Sequence, residues 1–185
     1  VPLGGIGAEL VSMQSFTSSG TWTRPSGVTR ILVQLVSPGG SSTCSTILES
    51  AGGGGGGSCA ISVFDVNNLA SATISMHQPG NTPSNSTFVG TGITTMTATP
   101  GASVGDGINI GGAGGTATGG QLNISGGKGV DSRVNQADAS QPGGGVAGGP
   151  IGGLYGRGAQ GGRGNVENGG AGICHVYEYS DASAQ

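Results

Sequence analysis

Charge is scarce in this chain. Six basic and nine acidic residues are spread over 185 positions, and Lys128 is the only lysine. Arg24, Arg30, Lys128, Arg133, Arg157 and Arg163 are scattered, so the clustered cationic footprint of a nucleic-acid binder is excluded. Aromatic residues are few as well, with one Trp, three Tyr and three Phe. A large aromatic core is therefore excluded. Stability has to come from main-chain hydrogen bonding, small-residue packing and association with other copies. No apolar run approaches the roughly 18 residues of a membrane helix, and membrane insertion is not expected. Helical periodicity is missing too, because glycine or proline interrupts every window of about 10–12 residues that might carry it.

Site chemistry is equally sparse. The cysteines are Cys44, Cys59 and Cys174, an odd count that leaves at least one unpaired. Cys44 and Cys59 bracket a glycine run and a disulfide between them would close a loop, but small buried thiols are the favoured reading. His77 and His175 are the only histidines, and neither has metal-ligand spacing or a nucleophile motif around it. The nine acids are too dispersed for spacing to nominate a catalytic pair. The run 52–57 continues as Ser58-Cys59, without the Lys-Ser/Thr and helix of a phosphate loop. No metal, cofactor or enzymatic activity is expected.

What is there is glycine, 43 residues of it. The densest stretch is 143–172, in which fifteen of thirty residues are glycine, and it reads as the segment around which the chain is organised. The spacing Gly158-x-x-Gly161-x-x-Gly164 suits an extended helix with three residues per turn. Such helices have no internal hydrogen bonds and have to satisfy one another side by side. A net charge of −3 and a mean hydropathy of +0.01 set the chain apart from disordered glycine-rich linkers.

Between the glycine blocks lie short apolar stretches bounded by turn residues. Met13–Thr17, Val28–Val36, Cys59–Val66, Ala72–Met76, Phe88-Val89, Ile93–Thr99, Gln121–Ser125 and Ile173–Tyr179 read as strands. Trp22 sits in turn chemistry. Val28–Val36 is nearly continuous in apolar character, the mark of a strand buried on both faces. The fold class expected is all-β: a β-sandwich or jelly-roll-like domain with glycine-rich, polyglycine II-like segments packed on it. Ile31–Val36 and Ile173–Tyr179 are expected to be neighbours. The organisation expected is an N-terminal arm over 1–13, the glycine-rich β domain over 14–179 and a frayed tail over 180–185. The chain begins Val1-Pro2-Leu3, without an initiator Met or a signal-peptide pattern, and reads as processed or as a piece of something longer.

Two phrases at the ends of that domain carry a resemblance. Residues 16–28 read FTSSGTWTRPSGV, followed by an apolar strand and glycine runs, and residues 169–179 read GGAGICHVYEY. This order resembles the glycine-rich domain of bacteriophage tail-fibre and spike proteins. Ser37-Pro38, where that family usually has a pair such as Trp-Gly, and the Ser/Thr-rich insertion 41–50 depart from the pattern. The resemblance covers roughly 14–179 and carries over no catalytic residues. It implies a virion location, other virion proteins as partners, and a role in or near host attachment. A purely structural part of the virion (capsid, hub or connector) is the alternative. An ice-binding array is disfavoured by the irregular glycine spacing. A homo-oligomer is expected from the thin core, with a trimer favoured by analogy with viral fibres.

If the protein is an adhesin, its contacts belong on glycine-poor polar loops, because close-packed glycine segments present no side chains. The candidates are His77, Asn81 and Asn85 in the loop 77–87, and Asp131, Arg133, Asn135, Gln136 and Asp138 in 130–141. Tyr155 is added as a stacking surface if exposed. Their amides and carboxylates suit the hydroxyls of a host surface glycan. An outer-membrane protein is the other receptor class.

Overall fold

A computed structural model describes residues 8–45, 51–80, 84–132, 155–161 and 166–181. Twelve strands appear in it and, among the described residues, no helix. In chain order they are β1 (Ala8–Phe16), β2 (Gly20–Thr23), β3 (Arg30–Val36), β4 (Ser42–Thr43), β5 (Cys59–Asp65) and β6 (Ser71–Ser75). Then come β7 (Ser86–Gly90), β8 (Met96–Ala98), β9 (Ala117–Thr118), β10 (Leu122–Ile124), β11 (Val166–Glu167) and β12 (Ile173–Asp181). Two five-stranded antiparallel sheets, β1-β12-β3-β5-β10 and β2-β6-β7-β8-β9, form a sandwich, and β4 pairs with β11 apart from them. The all-β class is as the sequence implies. β3 and β12 are indeed neighbours, with Val33 opposite Val176.

Alternation decides which side chains meet inside. Ile31, Val33 and Leu35 of β3, Val176 and Cys174 of β12, and Ala60 and Phe64 of β5 face Trp22, Ala72, Ile74, Phe88 and Met96 of the second sheet. Phe64 and Phe88 stack across the sandwich, with ring centroids 6.2 Å apart and planes 10° from parallel. Several boundaries differ from the sequence reading, among them β8, which keeps only Met96–Ala98 of the expected Ile93–Thr99. β1 starts at Ala8, inside the expected arm, and β12 runs to Asp181, into the expected tail. Gly20–Thr23 is a strand rather than a turn, because its main chain pairs with Ser71–Ile74 and buries Trp22 completely.

Past one end of the sandwich the strands continue as a bundle of glycine-rich segments. The hub among the described residues is 52–57; most of the stretch 143–172, read from the sequence as the organising segment, lies outside the described residues. Each of the hub's six amides donates to a different carbonyl. Gly53 and Gly56 bond Val130 and Gly127, at 3.0 and 2.8 Å. Gly54 and Gly57 bond Ala159 and Gly156, at 2.9 and 2.7 Å. Gly55 bonds Ala102 at 3.0 Å, and Ser58 follows on to Thr99 at 3.3 Å. Donors three residues apart reach acceptors three residues apart on the same neighbour, which is the signature of a helix with three residues per turn. The carbonyls of Gly53 and Gly56 in turn accept from Gly112 and Gly115, and that of Gly55 accepts from Gly40. Five segments of the described residues thus surround the hub. The portion 143–154 and the step to Gly164 lie outside the described residues.

Six of the bundle's segments are continuations of sandwich strands. The hub leads into β5; 37–41 leaves β3; 99–104 leaves β8; 111–116 enters β9; 126–130 leaves β10; and 168–172 enters β12. Sandwiched sheets sit roughly 10 Å apart because side chains fill the gap. Where the side chains shrink to hydrogen, strands of both sheets converge to hydrogen-bonding distance. A seam of hydroxyls marks the junction. Ser58 Oγ donates toward the Thr99 and Thr116 carbonyls, at 2.9 and 2.8 Å, and Ser37 Oγ approaches the Thr99 carbonyl at 2.6 Å. Both serines are fully buried.

Candidate binding surfaces

The loop after β6 leaves the sandwich on the bundle side. His77 Nδ1 lies 2.9 Å from the Asn85 carbonyl, which closes the loop across its base. Gln78 Nε2 donates to the Thr17 carbonyl at 2.8 Å, and Ser103 Oγ to the Gly80 carbonyl at 3.0 Å. The structure therefore brings His77 and Asn85 together; Asn81 lies outside the described residues.

Asp131 has a mainly local task. Its Oδ1 accepts the Gly111 N–H at 2.7 Å and Lys128 Nζ at 2.9 Å. The Gly111 amide first, and Lys128 after it, hold the carboxyl below its usual range. Ser132 Oγ and Asn109 Oδ1, 2.9 Å apart, close the same knot. Among the described residues no hydrogen bond links this knot to the loop at His77. Arg133, Asn135, Gln136 and Asp138 lie outside the described residues. Tyr155 is half-buried and packs with Ile61 and Ile124 against Val36, Cys59 and Ile173, so part of its ring is committed to covering the first sheet.

Two polar arrangements were not legible in the sequence. Glu178 is fully buried, facing inward from β12. It accepts from Trp22 Nε1 at 2.6 Å, from Gln14 Nε2 at 2.7 Å and from Ser12 Oγ. On the opposite face of the sheet, Ser15 Oγ and His175 Nδ1 are 2.7 Å apart. Burial lowers the His175 pKa and so favours the neutral ring. Burial also pushes the Cys59 thiol up to about 11, partly opposed by a hydrogen bond with Gln34, and drives the Cys174 thiol up further. Both are therefore protonated and poor nucleophiles near neutrality. Cys44, Cys59 and Cys174 are all free thiols, so Cys44 and Cys59 do not form a disulfide.

At the end of the sandwich away from the bundle, a cleft of about 560 Å³ opens between β5 and the turns 91–95 and 119–121. A second hollow of about 360 Å³ adjoins it and shares Asp65, Gly92 and Ile93. The cleft exists because β10 pairs with β5 only as far as Ile61. Beyond that point Gln121 Oε1 takes the Val63 N–H, at 3.2 Å, in place of a strand. Its lining comes from one strand and two turns far apart in sequence, so no local motif announced it.

No family model matches the chain, and no curated protein matches its sequence.

Proposed function

We propose that this protein is a virion surface component, part of a spike or tail fibre, that contributes to host-cell attachment as a homo-oligomer among other virion proteins. The observation that carries the reading is the glycine bundle. Main-chain hydrogen bonds fix it in several directions around 52–57, and loops bearing side chains leave its margins. A rigid scaffold presenting polar loops is the economy of a recognition module. The loops at His77–Asn85 and around Asp131 are the contact surfaces in this reading, with a host glycan or outer-membrane protein as receptor. The resemblance of the 16–28 and 169–179 phrases to phage fibre and spike domains supports it. Those two phrases touch, since Trp22 bonds Glu178 across the sandwich.

A specific observation favours a second reading, a structural virion part without a receptor. The outer face of the first sheet carries a row running from Met13 through Tyr177 and Leu32 to Val63. Its ends, Met13 and Val63, are 50% and 45% exposed. An apolar row of this kind suits burial against another subunit. Purified protein incubated with host cells separates the two. An attachment protein adheres and blocks infection, and replacing 77–87 and 131–140 by Gly/Ser linkers removes that effect; a structural part does neither. Light scattering tests the oligomer, with a trimer at three times the 17.6 kDa chain mass and a stable micromolar monomer as the refuting result.

A further inference from the structure

The cleft beside β5 collects polar groups that the fold itself leaves unused. Asp65 Oδ1 accepts from the Asn67 N–H and Nδ2, at 3.0 and 2.8 Å. Asp65 Oδ2 has no partner among the described residues, and Asp65 makes no ion pair there. Gln121 is anchored through Oε1, which leaves both Nε2 protons free to donate. The side chains of Asn68, Thr91 and Thr94 make no hydrogen bond within the described residues. Carboxylate, amide and hydroxyl groups thus meet along two adjoining hollows, with Asp65, Gln121 and Thr94 in the larger one beside the apolar flanks of Val63 and Ile93.

The lining decides what fits. Among the described residues no Lys or Arg lines either hollow; Arg30, opposite Asp65 in the register, pairs with Asp181, and Arg24 donates to the Val66 and Asn67 carbonyls, so neither cation is committed to an anionic ligand here. Asp65 is the only carboxylate among the described residues of either lining, far short of the six or so oxygens a calcium ion gathers. Apolar surface is limited to a few side chains, too little for a large hydrophobic ligand. What remains is a neutral molecule with closely spaced hydroxyls and a small apolar face.

We infer that this cleft is a binding site for a neutral sugar ring, free or at the end of an oligosaccharide. Asp65 Oδ2 accepts ring hydroxyls, Gln121 Nε2 donates to them, and Val63 and Ile93 lie against the ring C–H face. The site lies at the opposite end of the sandwich from the loops invoked for attachment. It does not rest on a virion role, and either reading can fail alone.

The test uses the full chain, labelled with 15N, titrated to millimolar concentrations with D-glucose, D-galactose, N-acetyl-D-glucosamine and L-rhamnose. The expected result is that at least one sugar shifts the amides of Val63, Asp65, Thr94 and Gln121 while those of Gly53–Gly57 stay fixed. Asp65→Asn keeps the acceptor that Asn67 uses but removes the free carboxylate oxygen's charge, and it weakens binding about tenfold. Thr94→Trp fills the cleft and abolishes the shifts. Should that variant lose the fold, Gln121→Glu, which keeps an Oε acceptor for the Val63 N–H but removes the Nε2 donor and is expected to weaken binding several-fold, takes its place beside Asp65→Asn. The inference is overturned if none of the four sugars moves these amides. It is equally overturned if the shifts survive both replacements undiminished, or if they appear only at the loop of His77 or the knot of Asp131.

Discussion

A single methyl group separates a bundle position from an open one. A Cβ on Gly55 would overlap the carbonyl oxygen of Ala113, and one on Gly101 would overlap the carbonyl of Gly55. Neither neighbour is a side chain that can swing away. A Cβ on Gly105 meets nothing within 4 Å. Gly55→Ala is therefore expected to destabilise by about 3 kcal/mol or more, at the upper end of overpacking penalties, whereas Gly105→Ala stays within about 0.5 kcal/mol. Urea denaturation of the two variants checks this, and equal losses would deny the close approach. His175 gives a second expectation at this scale. Its folded pKa lies below the unfolded value of 6.5 because burial disfavours the charged ring. As pH falls through that unfolded value, the unfolded chain takes up protons first, so stability is complete above about 6.5 and declines below it until the folded pKa is reached. His175→Gln is expected to remove that slope between about pH 7.5 and 5.5, which unfolding midpoints across the range would reveal.

At the scale of the element, apolar patterning located the central strands, because β3, β5, β6 and β12 bury a face that has to be hydrophobic. It did not locate β1 fully, since Leu10, Val11 and Met13 are half exposed along an edge and Ser12 and Gln14 face inward. Those two polar residues look out of place until Glu178 is seen. The carboxylate sits opposite Ser12 in the register and ties β1, β12 and, through Trp22, β2 into one node. No spacing rule joins residues 156 positions apart. Glu178→Ala would leave the buried Trp22 donor and the part-buried Gln14 donor without an acceptor and, at about 1–3 kcal/mol for each unsatisfied donor, is expected to cost more than losing one donor alone. Trp22→Phe, which removes one donor of three, is expected to cost about 1–3 kcal/mol. Chemical denaturation of both variants tests the order. A milder Glu178→Ala would mean that the node contributes little.

For the whole molecule, the sequence made the glycine segments legible as three-residue helices, and among the described residues their centre is 52–57. Glycine content measures how long a segment is able to pack closely, not where it lies. Gly52–Gly57 holds that place because it enters β5, a central strand of the first sheet, and so emerges amid the segments that leave both sheets. Sandwich and bundle are therefore consecutive stretches of the same strands, and the seam at Ser37 and Ser58 joins them without a linker. If a separable linker joined them, the side-chain-poor bundle would open first, leaving an intact sandwich. With continuous strands, opening the hub unpairs the ends of β3, β5, β8 and β12, so the two parts are expected to unfold together. Trp22, the only tryptophan and fully buried in the sandwich, reports one part by fluorescence. Hydrogen exchange at the amides of Gly53, Gly54 and Gly56 reports the other. Coincident denaturant midpoints, with glycine-amide opening energies equal to the global unfolding energy, are expected. Exchange of those amides at a markedly lower energy than the loss of Trp22 burial would show two independent units and sink the account of one continuous strand set.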